Sequence, residues 1–178
     1  MTPDELKALV RTIPDFPKPG ILFRDITTLI AHGRGLAAAV ELLAEQAHDA
    51  GAQAIAGMEA RGFIFGAAVA TRLGIGFLPL RKPGKLPVPV LAIDYALEYG
   101  TDTLEVDPGA IAPGQRVAIV DDLIATGGTA VAAARLLRQA KADPVQALFV
   151  IDLPDLGGAQ RLRAEGLTVD ALMAFPGH

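Results

Sequence analysis

A chain of 178 residues is long enough for one substantial core and too short for two comfortable domains, so a single domain over residues 1–178 is expected. Its net charge of −4 argues against general electrostatic binding to nucleic acid, and the absence of cysteine excludes disulfides, a thiolate nucleophile and a Cys-ligated metal. Hydrophobic residues make up 51% of the chain, yet no apolar run approaches the roughly 20 residues that span a bilayer, so no membrane partner is expected. Asp4 and Glu5, with no long hydrophobic segment after them, do not resemble a secretory signal, and a cytoplasmic address suits the composition.

Thr2-Pro3-Asp4-Glu5 has the form of a capping box with Pro at the first helical position, which predicts a short helix from Thr2 to Arg11. Pro14, Pro17, Pro19 and Gly20 end it, and Leu22 to Thr28 reads as a short extended segment. Apolar residues at helical spacing predict a helix from Leu36 to Ala50, stopped by Gly51. A strand at Gln53 to Gly57, a helix at Gly62 to Leu73 and a strand at Ile75 to Leu80 then give a β-α-β alternation. That alternation implies a mainly parallel sheet with helices on both faces, an α/β fold. Between Arg81 and Gly114 the pattern breaks at Pro83, Gly84, Pro87 and Pro89, an excursion of the kind that forms lids and binding loops. Beyond it lie a strand at Arg116 to Val120, a helix at Gly128 to Ala140, a strand near Val145 to Ile151, a short helix near Leu156 to Glu165 and a last strand near Val169 to Ala174.

The stretch Val117-Ala118-Ile119-Val120-Asp121-Asp122-Leu123-Ile124-Ala125-Thr126-Gly127-Gly128-Thr129 carries the most chemistry. An unbroken apolar run suits a strand covered on both faces, and two carboxylates at its end suit a site better than a core. Gly127 and Gly128 allow a sharp turn and close approach to a ligand, while Thr126 and Thr129 can cap the helix that follows. Free N–H groups at that helix start favour an anion. Thr129 stands where a Walker-type loop places Lys, so a monophosphate fits better than a nucleoside triphosphate. Strand alternation predicts that one of Asp121 and Asp122 reaches a ligand while the other braces the loop. Physics alone also allows a plain strand-turn-helix corner whose Asp and Thr residues merely cap the helix.

This segment resembles the phosphoribosyl pyrophosphate (PRPP) motif of the type I phosphoribosyltransferases. Further segments are similar to the adenine branch of that family: Pro19-Gly20-Ile21-Leu22-Phe23-Arg24-Asp25-Ile26-Thr27, Glu59-Ala60-Arg61-Gly62-Phe63-Ile64-Phe65-Gly66, Arg81-Lys82-Pro83-Gly84-Lys85-Leu86-Pro87, Leu97-Glu98-Tyr99-Gly100 and Phe175-Pro176-Gly177-His178. They run in family order over nearly the whole chain. The resemblance implies a central parallel sheet with a flexible hood at about 81–114, a homodimer, and transfer of the 5-phosphoribosyl group of PRPP to adenine, giving AMP and pyrophosphate.

On this resemblance, Ala125, Thr126, Gly127, Gly128 and Thr129 hold the 5′-phosphate, with Asp121 and Asp122 near the ribose. Arg61 serves catalysis and the pyrophosphate, joined by Arg81, Lys82 and Lys85; by itself such a basic cluster is an ordinary solvated loop. Leu22, Phe23 and Arg24 form the adenine site, the ring stacking on the purine and neighbouring main chain reading its edge, although Phe23 alone could be ordinary core. Glu98 assists proton transfer or stabilises charge on the purine, and Tyr99 supports the lid. Mg²⁺ arrives on PRPP oxygens rather than in a protein cage. His32, His48 and His178 lack metal-ligand spacing and receive no catalytic role. Residues 87–94 are more apolar than the hood of bacterial relatives. A phosphoribosyltransferase for another base, or a regulatory protein keeping this fold as a ligand sensor, are the competing readings.

Overall fold

The fold is described from a computed structural model that covers residues 1–97 and 99–177. Helix α1 (Pro3–Lys7) opens with the capping box, Thr2 accepting the Glu5 N–H and Glu5 accepting the Thr2 N–H. It stops short of the expected Arg11 because Arg11–Pro14 forms a strand, β1, paired antiparallel with β2 (Leu22–Asp25). The extended segment expected to reach Thr28 likewise ends at Asp25, whose carboxylate accepts the Thr27 N–H at 3.0 Å and starts α2 (Thr27–Ala31). Strand pairing in the first case and the local Asp25–Thr27 turn in the second outweigh periodicity. The following α3 (Gly33–Asp49) begins earlier than Leu36, since His32 Nδ1 accepts the Gly35 N–H at 3.0 Å and caps it.

Next come β3 (Ala54–Met58), α4 (Arg61–Leu73) and β4 (Gly76–Leu80). The excursion after β4 is more regular than its prolines suggest: β5 (Leu91–Ala96) and β6 (Thr101–Val106) make an antiparallel hairpin, Leu91 opposite Val106 and Ala96 opposite Thr101. Leu91, Ile93 and Tyr95 alternate inward and pack on the core beside Leu104 and Val106. Then follow β7 (Arg116–Ile124), α5 (Gly128–Gln139), β8 (Asp143–Asp152), α6 (Gly158–Ala164) and β9 (Thr168–Ala174). Strand β7 continues past the expected Val120 because Asp121 and Leu123 keep their ladder partners Phe149 and Ile151 on β8.

Five strands form one parallel sheet in the order β4-β3-β7-β8-β9. Ala54, Ala56, Val117 and Ile119 face the layer of α5 and α6, while Ile55, Ala118 and Val120 face α3 and α4. Burial on both sides explains why these strands lack polar alternation. Fully buried Ile119, Phe149 and Phe65 each contribute about 1.5–3 kcal/mol by leaving water. Strand β3 is followed by its neighbour on one side and β7 by its neighbour on the other, so the chain changes direction between them. The carboxyl ends of two such strands leave a crevice, the usual ligand position in open α/β sheets. Among the described residues no helix is long and apolar enough to cross a membrane.

Candidate active site

One wall of the crevice is the turn from β7 into α5. Gly127 has φ +82°, where a side chain would be strained, and no side chain caps α5. The expectation that Thr126 and Thr129 cap this helix is therefore corrected: the turn swings on a glycine at the cap position, leaving the first amides to an outside anion. The turn is held from behind by α6. The Gly158 N–H donates to Ala125 O at 3.0 Å, and Arg161 Nη1 donates to Thr126 O at 2.7 Å. Arg161→Ala should loosen this turn and raise the KM for PRPP several-fold, less than the full worth of a charge-assisted hydrogen bond because this one is exposed, with the adenine KM unchanged; equal PRPP KM values in steady-state assays would refute the brace.

The opposite wall is the turn from β3 into α4, where the Glu59–Ala60 peptide is cis and again no side chain caps the helix. The two walls touch: a Cβ on Gly62 would lie 2.8 Å from Asp121 Oδ1. Arg61 Nε donates to Asp122, which is buried, so this aspartate ties the two walls together rather than bracing its own turn. Hydrogen bonding to Asp122, more than the opposing effect of burial, raises the Arg61 pKa further. Asp121 Oδ1 accepts the Asp122 N–H at 2.8 Å. Burial, and next the charge of Asp122, push the Asp121 pKa well above its ordinary 3.8. Folding thus favours a protonated Asp121, a contribution fully present below pH 3.8 and lost as pH rises through the raised value. Asp121→Asn keeps the acceptor without the charge and should raise the melting temperature of the ligand-free protein at neutral pH by roughly 2–4 °C while weakening PRPP binding. Melting curves at acid and neutral pH test this, because the gain should vanish in acid.

Asp121, Asp122, Ala125, Thr126, Gly127, Gly128 and Thr129 surround one hollow of about 320 Å³ together with Glu59, Arg61 and Lys82. Arg61 also borders an adjoining hollow of about 310 Å³, lined by Ile13, Phe16, Phe23, Arg24, Asp25, Ile26 and Thr27. Phe23 meets Phe16 edge-to-face, with ring centroids 5.1 Å apart. Leu22 lies at the exposed start of β2 and does not line this hollow. The Arg24 guanidinium points away to Thr12 Oγ1 (2.7 Å), Pro176 O (2.8 Å) and the Phe175 ring. Asp25 joins β1 to β2 through Arg11; hydrogen bonds from Thr27, and then Arg11, lower its pKa to about 2.

The three cations after β4 are less uniform than their sequence cluster. Arg81 Nε and Lys85 Nζ bind the two oxygens of Glu59 at 2.8 and 2.7 Å, and neither lines the first hollow. Lys82 does line it, yet its ammonium is also held by Asp102 and by Tyr95 Oη at 3.0 Å. Burial alone would lower the Lys82 pKa, but the hydrogen bonds its ammonium donates to Asp102 and Tyr95 together outweigh this and raise it. Tyr99 is exposed, with Lys18 Nζ 4.6 Å from its ring centre. Glu98 and His178 lie outside the described residues. Among the described residues no cluster of three or more His, Cys, Asp or Glu forms a metal cage.

Glu59, Asp25, Phe16 and Arg161 were not foreseen as site residues. Glu59 and Asp25 lie inside recognised segments, and Phe16 sits in a proline-rich turn, so a signal existed for each. Arg161 has none, since it meets Thr126 across 35 positions.

A phosphoribosyl transferase domain model matches residues 27–162. The chain is 74% identical over 178 residues to the adenine phosphoribosyltransferase of Novosphingobium aromaticivorans, covering all of both chains. Among solved structures, that of adenine phosphoribosyltransferase from Thermoanaerobacter pseudethanolicus superposes with a TM-score of 0.92 at 45% identity, covering 98% of this chain and 100% of that one. The Saccharomyces cerevisiae enzyme, complexed with an imino-altritol bisphosphate and adenine, gives 0.88 at 39% identity, covering 96% and 98%. With a shared fold, a crevice at the strand switch and full-length identity of this order, the chain belongs to the adenine phosphoribosyltransferases, of the type I phosphoribosyltransferase fold.

Proposed function

We propose that the paired hollows carry out the family's reaction in purine salvage, transfer of the 5-phosphoribosyl group from PRPP to adenine with release of pyrophosphate. The observation that carries this reading is Arg61, which borders both the phosphate-type hollow and the aromatic one. The uncapped start of α5 receives the 5′-phosphate, and Asp121 and Asp122 lie toward the ribose. Negative charge there favours the cationic sugar that develops as pyrophosphate leaves. Arg61 and the uncapped start of α4 receive the pyrophosphate, with Arg81, Lys82 and Lys85 supplying further positive charge. No protein cage is needed for Mg²⁺, which, carried on PRPP oxygens, would supply positive charge to the leaving group beside Arg61.

Phe23 stacks on the purine, while the main chain at Phe23 and Arg24 supplies a donor and an acceptor for adenine N1 and N6. Hypoxanthine and guanine present the reverse pattern and leave those groups unpaired. Glu98 handles the purine proton, Tyr99 supports hood closure, and the enzyme works as a cytoplasmic homodimer. Partly exposed Phe16 and Leu22 suit such a subunit contact, which sedimentation at twice the chain mass would report.

Purified protein with PRPP, Mg²⁺ and one base at a time should form nucleotide from adenine and far less from hypoxanthine or guanine. Equal rates with adenine and hypoxanthine would reject the base assignment, and tight PRPP binding without product would favour the sensor. Glu98→Gln should cut kcat about 10²-fold or more with PRPP affinity kept; an unchanged kcat removes Glu98 from the mechanism.

A further inference from the structure

Glu59 stands at the end of β3, its side chain 8% exposed, with one cation on each oxygen. Burial pushes its pKa up, but hydrogen bonds and charge from Lys85 and Arg81 more than reverse this, so it is an anion at neutral pH. A buried anion on the lining of a phosphate hollow would repel the ligand were its charge not offset by cations, and here two are held on it. What it does is visible in its partners. Lys85 and Arg81 come from the segment leading into the hood, and both side chains are long and carry much rotamer entropy when free. Through Glu59 they are fixed against the β3–α4 turn, with the Arg81 guanidinium 5.9 Å from the ring of Phe63 in the first turn of α4. Nε of Arg81 is committed to Glu59, whereas its Nη1 has one weak contact, Lys85 O at 3.4 Å.

We infer that Glu59 is a positioning residue for the diphosphate leaving group: it holds Arg81 and Lys85 at the turn that receives pyrophosphate, so that their remaining donors meet it without first being ordered. The inference rests on the proposed function of this turn. It predicts a split that general loosening of the fold would not give. In Glu59→Gln, calorimetry should show magnesium pyrophosphate binding weakened about ten-fold or more, the worth of one charge-assisted hydrogen bond, and AMP binding changed less than roughly two-fold. The KM for PRPP should rise while that for adenine stays. Glu59→Asp retains the charge but, one methylene shorter, cannot serve both cations, and should show an intermediate loss; it also carries the test if the Gln variant does not fold. Pyrophosphate affinity equal to or tighter than wild type in these folded variants overturns the inference. Failure of the wild type itself to bind magnesium pyrophosphate would instead remove the function assigned to the turn.

Discussion

Arg61→Ala is expected to lower kcat/KM for PRPP by about 10²–10³-fold, the usual loss when one preorganised donor to developing charge is removed. Two effects add. The first residue of α4 loses the cation that borders both hollows, and buried Asp122 loses its partner. Breaking a buried pair from one side leaves an uncompensated carboxylate beside Asp121, so the ligand-free protein should also melt lower. Arg61→Ala with Asp122→Asn separates the effects. The double variant should regain most of the melting temperature and little of the activity, because asparagine removes the stranded charge but restores no cation. Steady-state kinetics and thermal melts on the three variants decide it; a kcat/KM within a factor of about three of wild type would show that Arg61 only braces Asp122.

Gly158→Ala should be nearly as damaging although Gly158 lies outside the recognised motif. A Cβ there would collide with Ala125 O and stand 2.7 Å from Gly127 N, both backbone atoms that cannot rotate aside. Relief requires the whole 125–127 turn to move by an ångström or so, and displacement on that scale costs on the order of 10²-fold in rate. The neighbour supplies the control. Gly157 has φ +74° but nothing within 4 Å of an added Cβ, so Gly157→Ala strains the backbone without crowding the turn. It should cost about 1 kcal/mol of stability and leave the PRPP KM alone. Similar kinetics for the two variants would mean that close approach of α6 does not shape the turn.

The sheet was legible because its strands are continuous apolar runs and Gly51 stops the helix before β3, signals that local chemistry alone produces. The short N-terminal pieces were not. The helix expected to reach Arg11 stops early because Arg11–Pro14 pairs with Leu22–Asp25, and the hood's prolines hide a hairpin whose inward Leu91, Ile93 and Tyr95 alternate over only a few residues. In the site, the spacing of Asp121 to Thr129 identified the turn but assigned its cap to threonine side chains. The glycine at the cap position, crowded by Gly158, could not be inferred without the distant α6. The basic segment Arg81 to Lys85 gave charge without direction. Which cation faces the hollow and which faces Glu59 is set by contacts 13 to 26 positions away.

The aromatic hollow and the phosphate turn differ in how far along the chain their supports lie. The turn after β7 is held through Arg161 to Thr126, across 35 positions, whereas the hairpin carrying Phe23 is fastened through Arg24 to Pro176, 152 positions away. The shelf for the base thus leans on the far end of the chain, so loosening there would reach the purine side of the crevice before the anion side.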